Sequence, residues 1–133
     1  MITKLQKNKL IKSALSVLKN SHSPHSGFKV GSALLSVNGK VFSGTNVEFD
    51  ALSLTVCAER AAIFGAISGG EKKFKAIAVA TSSNEFIYPC GLCRQALVEF
   101  NPNMEVILIT KKKEIKSFIL KDIIPNYFKL NKV

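Results

Sequence analysis

The chain has 133 residues and a mass of 14.5 kDa, the size of one compact domain, and residues 1–133 are expected to fold as a single unit. Hydrophobic residues at 47% and charged residues at 21% exclude a disordered or fibrous chain, and the longest apolar run, Ala76–Ala80, is far short of the ~20 residues that cross a bilayer. The net charge of +10 sits at the two ends: residues 1–20 and 111–133 each carry +5, and residues 21–110 are balanced. A polynucleotide channel would run basic and aromatic residues past a central site, so these lysines read as solvated faces and no nucleic-acid partner is expected.

Lysines interrupt every apolar run in the first twenty residues, so a cytoplasmic protein with no membrane partner is the default. Ile11, Ala14, Leu15 and Leu18 recur at helical spacing and predict an amphipathic helix over residues 3–19. Residues 21–27 (Ser-His-Ser-Pro-His-Ser-Gly) then break the chain. Phe28–Val37 and Lys40–Val47 read as two strands joined through Asn38 and Gly39, a strong hairpin signal. A helix over Cys57–Ser68 ends at Gly69 and Gly70, suited to a left-handed cap. A buried strand is expected at Ala76–Thr81, a helix at Gly91–Phe100, a strand at Glu105–Thr110, and a partly helical tail as far as Pro125. This alternation implies an α/β fold, a three-layer α/β/α sandwich with a mixed, partly parallel sheet.

Three cysteines carry the sharpest chemistry. Cys90 and Cys93 stand three apart at a helix start, where one face of the helix presents both sulfurs to a single metal ion at ~2.3 Å. The helix dipole and free amide groups favour their thiolate forms. Cys57 opens another helix and can supply a third sulfur. An all-cysteine structural site needs four ligands, whereas zinc with three protein ligands keeps a position for water, as catalytic sites do. Simpler readings exist for each part: a Cys-x-x-Cys redox pair, a structural zinc completed by His22 or His25, a free core thiol at Cys57, or a dipole-favoured acid at Glu59. The conjunction of Cys57-x-Glu59 with Pro89-Cys90-x-x-Cys93 is much rarer than either half.

With these motifs the chain resembles the small homotetrameric cytidine deaminases over nearly its whole length. The matching blocks are Phe28–Leu35, Gly44–Glu48, Cys57–Arg60, Pro89–Gln95 and, more weakly, Ile123–Phe128. The resemblance implies a cytidine deaminase-like fold, one zinc per chain on Cys57, Cys90 and Cys93, and a homotetramer. It implies hydrolytic deamination of cytidine and deoxycytidine in pyrimidine salvage, with Glu59 shuttling protons between water, the ring nitrogen and departing ammonia. Arg60 is implied as a hydrogen-bond donor to the ligand sulfurs, offsetting the formal −1 that three thiolates leave on a zinc dication. Asn46 and Glu48 match positions that bind the ribose 3′-hydroxyl, and two-residue spacing on a strand puts both on one face. Phe28, and Phe128 from the tail, match aromatic residues of the substrate pocket.

The chain departs from the family where a tyrosine that reaches a neighbouring subunit's site is replaced by Leu52, which donates no hydrogen bond; His25 also stands where tyrosine is common. Two alternatives follow: a deaminase of a modified aminopyrimidine nucleoside such as a nucleoside antibiotic, or a non-catalytic zinc-binding module. Glu59 argues against the module, because a structural zinc has no use for an acid beside an open position.

Overall fold

The computed structural model describes residues 2–130, so Met1 and residues 131–133 of the expected 1–133 unit lie outside the described residues. Eight regular elements follow in chain order: α1 (Lys4–Val17), β1 (Val30–Ser36), β2 (Val41–Thr45), α2 (Ala58–Ser68), β3 (Phe74–Thr81), α3 (Gly91–Val98), β4 (Glu105–Ile109) and β5 (Ile115–Ile119). Local chemistry explains their ends. Thr3 and Gln6 form a reciprocal capping box at the start of α1, with bonds of 3.1 and 3.0 Å. Gly39, at φ +86°, turns the β1–β2 hairpin. The carboxyl end of α2 is a Schellman motif, in which Gly70 adopts φ +89°, its N–H bonds Ile67 O, and the Glu71 N–H bonds Ala66 O.

The strands form one sheet in the order β2-β1-β3-β4-β5, with β3 and β4 parallel and every other pair antiparallel. The α/β fold with a partly parallel sheet therefore matches the expectation. Strand periodicity divides the core into two layers. Ala33, Leu35, Ala76, Ala78, Ala80, Ile107 and Ile109 pack with Leu10 and Ala14 of α1. Leu34, Ile77, Val79, Val106 and Leu108 face the other way, against Ala62, Ile63 and Ala66 of α2 and Leu97 and Val98 of α3. Helices thus cover both faces, which completes the three layers.

Close approach fixes where α2 sits. A Cβ at Gly44 of β2 would lie 2.5 Å from Ala62 N and 2.6 Å from Ala58 O, so only glycine lets the first turn of α2 lie on the hairpin. Ser32 of β1 donates to Ala58 O at 2.8 Å from within the core and pins the same turn.

Two expectations change. In the tail expected to be partly helical, the helical part is only a 3-10 turn at Leu120–Ile123, and an edge strand, β5, at Ile115–Ile119 precedes it. As an edge strand, β5 buries little of its surface, and lysines at its start hide the period of two. The second strand of the hairpin stops at Thr45, and Val47 beyond it makes only isolated bridges with His22 and Val56. Asn46 and Glu48 therefore sit on an extended stretch past the strand.

Candidate functional site

A cavity of about 230 Å³ opens at the carboxyl end of β3, where Val79 and Thr81 form part of its wall, a usual place for ligands in parallel sheet regions. Cys57, Ala58, Glu59 and Cys90 line its metal end; Phe28, Asn46 and Glu48 line it elsewhere. Two helices begin at this point. Cys57 is the N-cap of α2 (φ −71°, ψ 153°) and Cys90 the N-cap of α3 (φ −65°, ψ 167°), and neither side chain caps its own helix. Their carbonyls start the helical ladders, accepting from Ala61 N at 3.0 Å and Arg94 N at 2.9 Å. Both sulfurs are left free and meet each other, with Cys93 one turn beyond Cys90 in α3.

The three sulfurs lie within 4.8 Å of one another, and Cys57 Sγ is 3.7 Å from Cys90 Sγ. Sulfurs at ~2.3 Å from a tetrahedral ion stand about 3.8 Å apart, so this spacing suits zinc, while a disulfide needs ~2.05 Å. All three cysteines are free thiols. Arg60 Nη2 lies 3.7 Å from Cys57 Sγ, and its Nε is buried without a hydrogen-bond partner among the described residues. A guanidinium with an uncommitted N–H beside three sulfurs fits an anionic metal–thiolate cluster. His22 and His25 are not part of the cluster: His22 bridges Val47, and His25 Nε2 lies 3.3 Å from Asp50 Oδ1.

Charge in this corner is strongly perturbed. Hydrogen bonding with Cys93, helped by the Arg60 guanidinium, brings the Cys57 thiol down to about 5 against the opposing effect of burial. The same bond with Cys57, and burial after it, push the Cys93 thiol up. Glu59 is only 4% exposed, and burial pushes its carboxyl up to about 7, with negative charge on Cys57 adding to the rise. A carboxyl poised there exchanges protons readily near neutral pH.

The other end is built from loops. Asn46 Oδ1 accepts from Val30 N at 3.0 Å and from the Ser21 hydroxyl, and its Nδ2 donates to Phe28 O at 2.7 Å. Glu48 accepts from His25 N at 2.9 Å, Ser26 N at 3.1 Å and the Ser26 hydroxyl, and these donors, Ser26 first, hold its carboxyl below the ordinary value. An amide has two N–H donors and a carboxylate about four acceptor positions, so Asn46 keeps one donor and Glu48 about one acceptor. A single hydroxyl can use both.

The structure brings Cys57, Glu59, Cys90, Phe28, Asn46 and Glu48 to one cavity, with Cys93 and Arg60 beside it. It does not bring Phe128 there. That ring is 65% exposed, borders a different hollow with Val98 and Tyr127, and its carbonyl accepts from Gln95 Nε2. Leu52 is also exposed, at 72%. Sequence reading missed Tyr88, Ile87, Thr55 and Val56 in the cavity wall and Ser26 as the support of Glu48. Only Tyr88 carried a signal, by preceding Pro89 and Cys90.

A family model described as the cytidine and deoxycytidylate deaminase zinc-binding region matches residues 4–110. The chain is 40% identical over 121 residues to a cytidine deaminase of Sporosarcina psychrophila, covering 90% of this chain and 89% of that protein. It is also 40% identical over 121 residues to a probable cytidine deaminase of Dictyostelium discoideum, covering 90% and 82%. Its fold superposes on the crystal structure of cytidine deaminase from Burkholderia pseudomallei with a TM-score of 0.88 at 38% identity, covering 96% of this chain and 100% of that one. The corresponding values for cytidine deaminase from Mycobacterium tuberculosis are 0.80 and 31%, covering 93% and 98%.

Proposed function

Since the chain belongs to the cytidine and deoxycytidylate deaminase family, whose members are zinc-dependent hydrolases, we propose that it converts free cytidine and deoxycytidine to uridine and deoxyuridine. Water is consumed, the C4–N bond breaks and ammonia leaves. The observation that carries this reading is the meeting of two helix N-caps, which gathers three sulfurs within 4.8 Å of one another at a cavity lined by the buried Glu59 carboxyl.

In this reading Cys57, Cys90 and Cys93 hold one zinc. When bound, zinc supplies the Lewis acidity that brings a water's pKa toward neutrality. Arg60 offsets the negative charge on the ligand sulfurs. Glu59 accepts the proton that water gives up, holds it on a carboxyl whose pKa burial has raised, passes it to the pyrimidine ring nitrogen, and then serves the departing amine. Phe28 packs the pyrimidine end, while Asn46 donates to, and Glu48 accepts from, the ribose 3′-hydroxyl. A 3′-phosphodiester offers no proton and meets the Glu48 carboxylate, so internal cytosines of RNA or single-stranded DNA are excluded despite the +10 charge.

The same reading makes the chain a single-domain enzyme of cytoplasmic pyrimidine salvage that works as a homotetramer. Among the described residues no helix is long and apolar enough to cross a membrane. Leu52, Leu54, Phe64, Leu92 and Phe128 are each more than half exposed, an apolar surface of the kind that association between copies covers. Such an assembly would give Phe128 and Leu52 partners that one chain lacks.

The test is to give the purified protein cytidine and a cytosine-containing oligonucleotide in parallel at low salt, following ultraviolet absorbance. Conversion of cytidine alone is expected. Failure with cytidine at full zinc content would overturn the activity, and conversion of the oligonucleotide would overturn the roles of Asn46 and Glu48.

A further inference from the structure

Residues after 110 lie beyond the stretch that the deaminase family model matches, yet they hold the turn that delivers Cys90. The Tyr88 ring packs on Phe118 of β5 with centroids 5.2 Å apart, and Lys116 Nζ lies 5.5 Å from the Tyr88 centroid and 5.9 Å from that of Phe86. One residue further on, Pro89 is buried and has no N–H, so its carbonyl is the turn's one main-chain hydrogen-bonding group at that position. Arg94 takes it. Its Nε donates to Pro89 O at 2.7 Å while Nη1 donates to Ile123 O at 2.8 Å in the 3-10 turn after β5.

We infer that β5 and its following turn set the Pro89–Cys90 segment for metal binding, with Arg94 as the positioning residue that joins them; this rests on the reading that Cys57, Cys90 and Cys93 hold the zinc. The brace is itself firmly seated. Leu120 is fully buried, its N–H bonds Met104 O at 2.9 Å, and Lys121 N bonds Pro102 O at 2.9 Å. β5 pairs along its length with β4, from Ile119 opposite Glu105 to Ile115 opposite Ile109. By contrast α3, which carries Cys93, is only eight residues long and gains little rigidity from its own hydrogen bonds.

The geometry suits arginine specifically. A planar guanidinium directs Nε–H and Nη1–H at fixed, divergent angles to two separate carbonyls at once, whereas a lysine ammonium on its flexible stem reaches one of them. Both bonds are charge-assisted, so they are stronger than the neutral contacts around them. Holding Cys90 before the metal arrives reduces the ordering that binding must impose on the ligand turn. Partners that orient ligands change metal affinity without touching the ion.

The experiment measures zinc affinity of the full chain by competition with a chromogenic chelator, and the cobalt(II) spectrum of the substituted protein. Arg94→Ala, Arg94→Lys and Phe118→Leu are expected to weaken zinc roughly 10–100-fold and to shift the sulfur-to-cobalt bands. The fall in zinc affinity of Arg94→Lys should exceed any fall in stability of the metal-free protein, read from thermal midpoints, and Asp122→Asn on the same turn should bind zinc as wild type does. If Arg94→Ala fails to fold, Arg94→Lys and Phe118→Leu decide. Wild-type affinity in both, or weakening that only tracks lost stability of the metal-free protein, would overturn the inference. Cys90→Ala separates the two readings: zinc retained there defeats the ligand assignment, whereas zinc lost there but kept by the Arg94 variants defeats the brace alone.

Discussion

The two ends of the cavity are built by different means. At the metal end, Cys57, Glu59, Cys90 and Cys93 all belong to the first turns or caps of α2 and α3, and those helices are packed on the sheet by Gly44, Ser32 and the core around Ile77 and Val79. At the opposite end, Asn46 and Glu48 lie past the last residue of β2 and are held by loop residues Ser21, His25, Ser26 and Phe28. Chemistry that must not move is placed on regular elements. Recognition, under the proposed function, is placed on loops whose polar atoms satisfy one another. Breaking the first end should therefore abolish turnover, and breaking the second should alter which molecules are accepted.

The largest effect is expected at a ligand. Cys90→Ala should lose both zinc, by metal analysis, and all measurable turnover. A metal-free active protein with a Cys90–Cys93 disulfide would defeat the metal end as described. Next, Glu59→Gln should keep fold and zinc while lowering kcat by ~10²–10⁴-fold, measured under saturating cytidine; full turnover would remove Glu59 from the proton path.

At the opposite end the effect should be in KM. Glu48→Gln removes a hydrogen bond to a charged acceptor worth about 1.5–3 kcal/mol, so KM for cytidine should rise roughly 10–100-fold with kcat nearly unchanged. An equal fall in kcat would mean that the two ends are not separable. Gly44→Ala tests the support of the metal end: overpacking there should cost about 1–3 kcal/mol in denaturant unfolding, with zinc affinity falling as α2 is displaced. The smallest signal is in acid. Glu48 is held below its ordinary value of 4.5, so it stays anionic as pH falls to that value. Its contribution to the folded loop is complete above pH 4.5 and is lost as pH drops through the lowered value, so KM should hold steady down to pH 4.5 and rise below it. In Ser26→Ala, which removes a main donor, the rise should begin at higher pH than in wild type; an unchanged profile would show that Ser26 does not hold the carboxylate.

The metal end was legible in the sequence because its spacing is local: Cys57 and Glu59 two apart, Cys90 and Cys93 three apart, each pair at a helix start. Only their mutual distance had to come from the fold. The internal partners of Glu48 were not legible, since backbone N–H donors at His25 and Ser26 leave no mark on residue type. Arg94 was hidden for the same reason, because both of its acceptors are carbonyls. β5 escaped notice because an exposed edge strand buries too little to impose alternation. The expected role of Phe128 rested on a short tail match, and a single chain leaves that ring outside the cavity on the α3 side.

Position along the chain gives the brace after β4 one more meaning. Protein synthesis runs from the amino end, so Cys57, Cys90 and Cys93 all leave the ribosome before residues 115–123 exist to steady them. An unfinished chain therefore carries the whole ligand set without Ile123 and Phe118, the partners of Arg94 and Tyr88. If the brace acts as inferred, a chain cut short after residue 110 should bind zinc more weakly than the full chain although no ligand is missing.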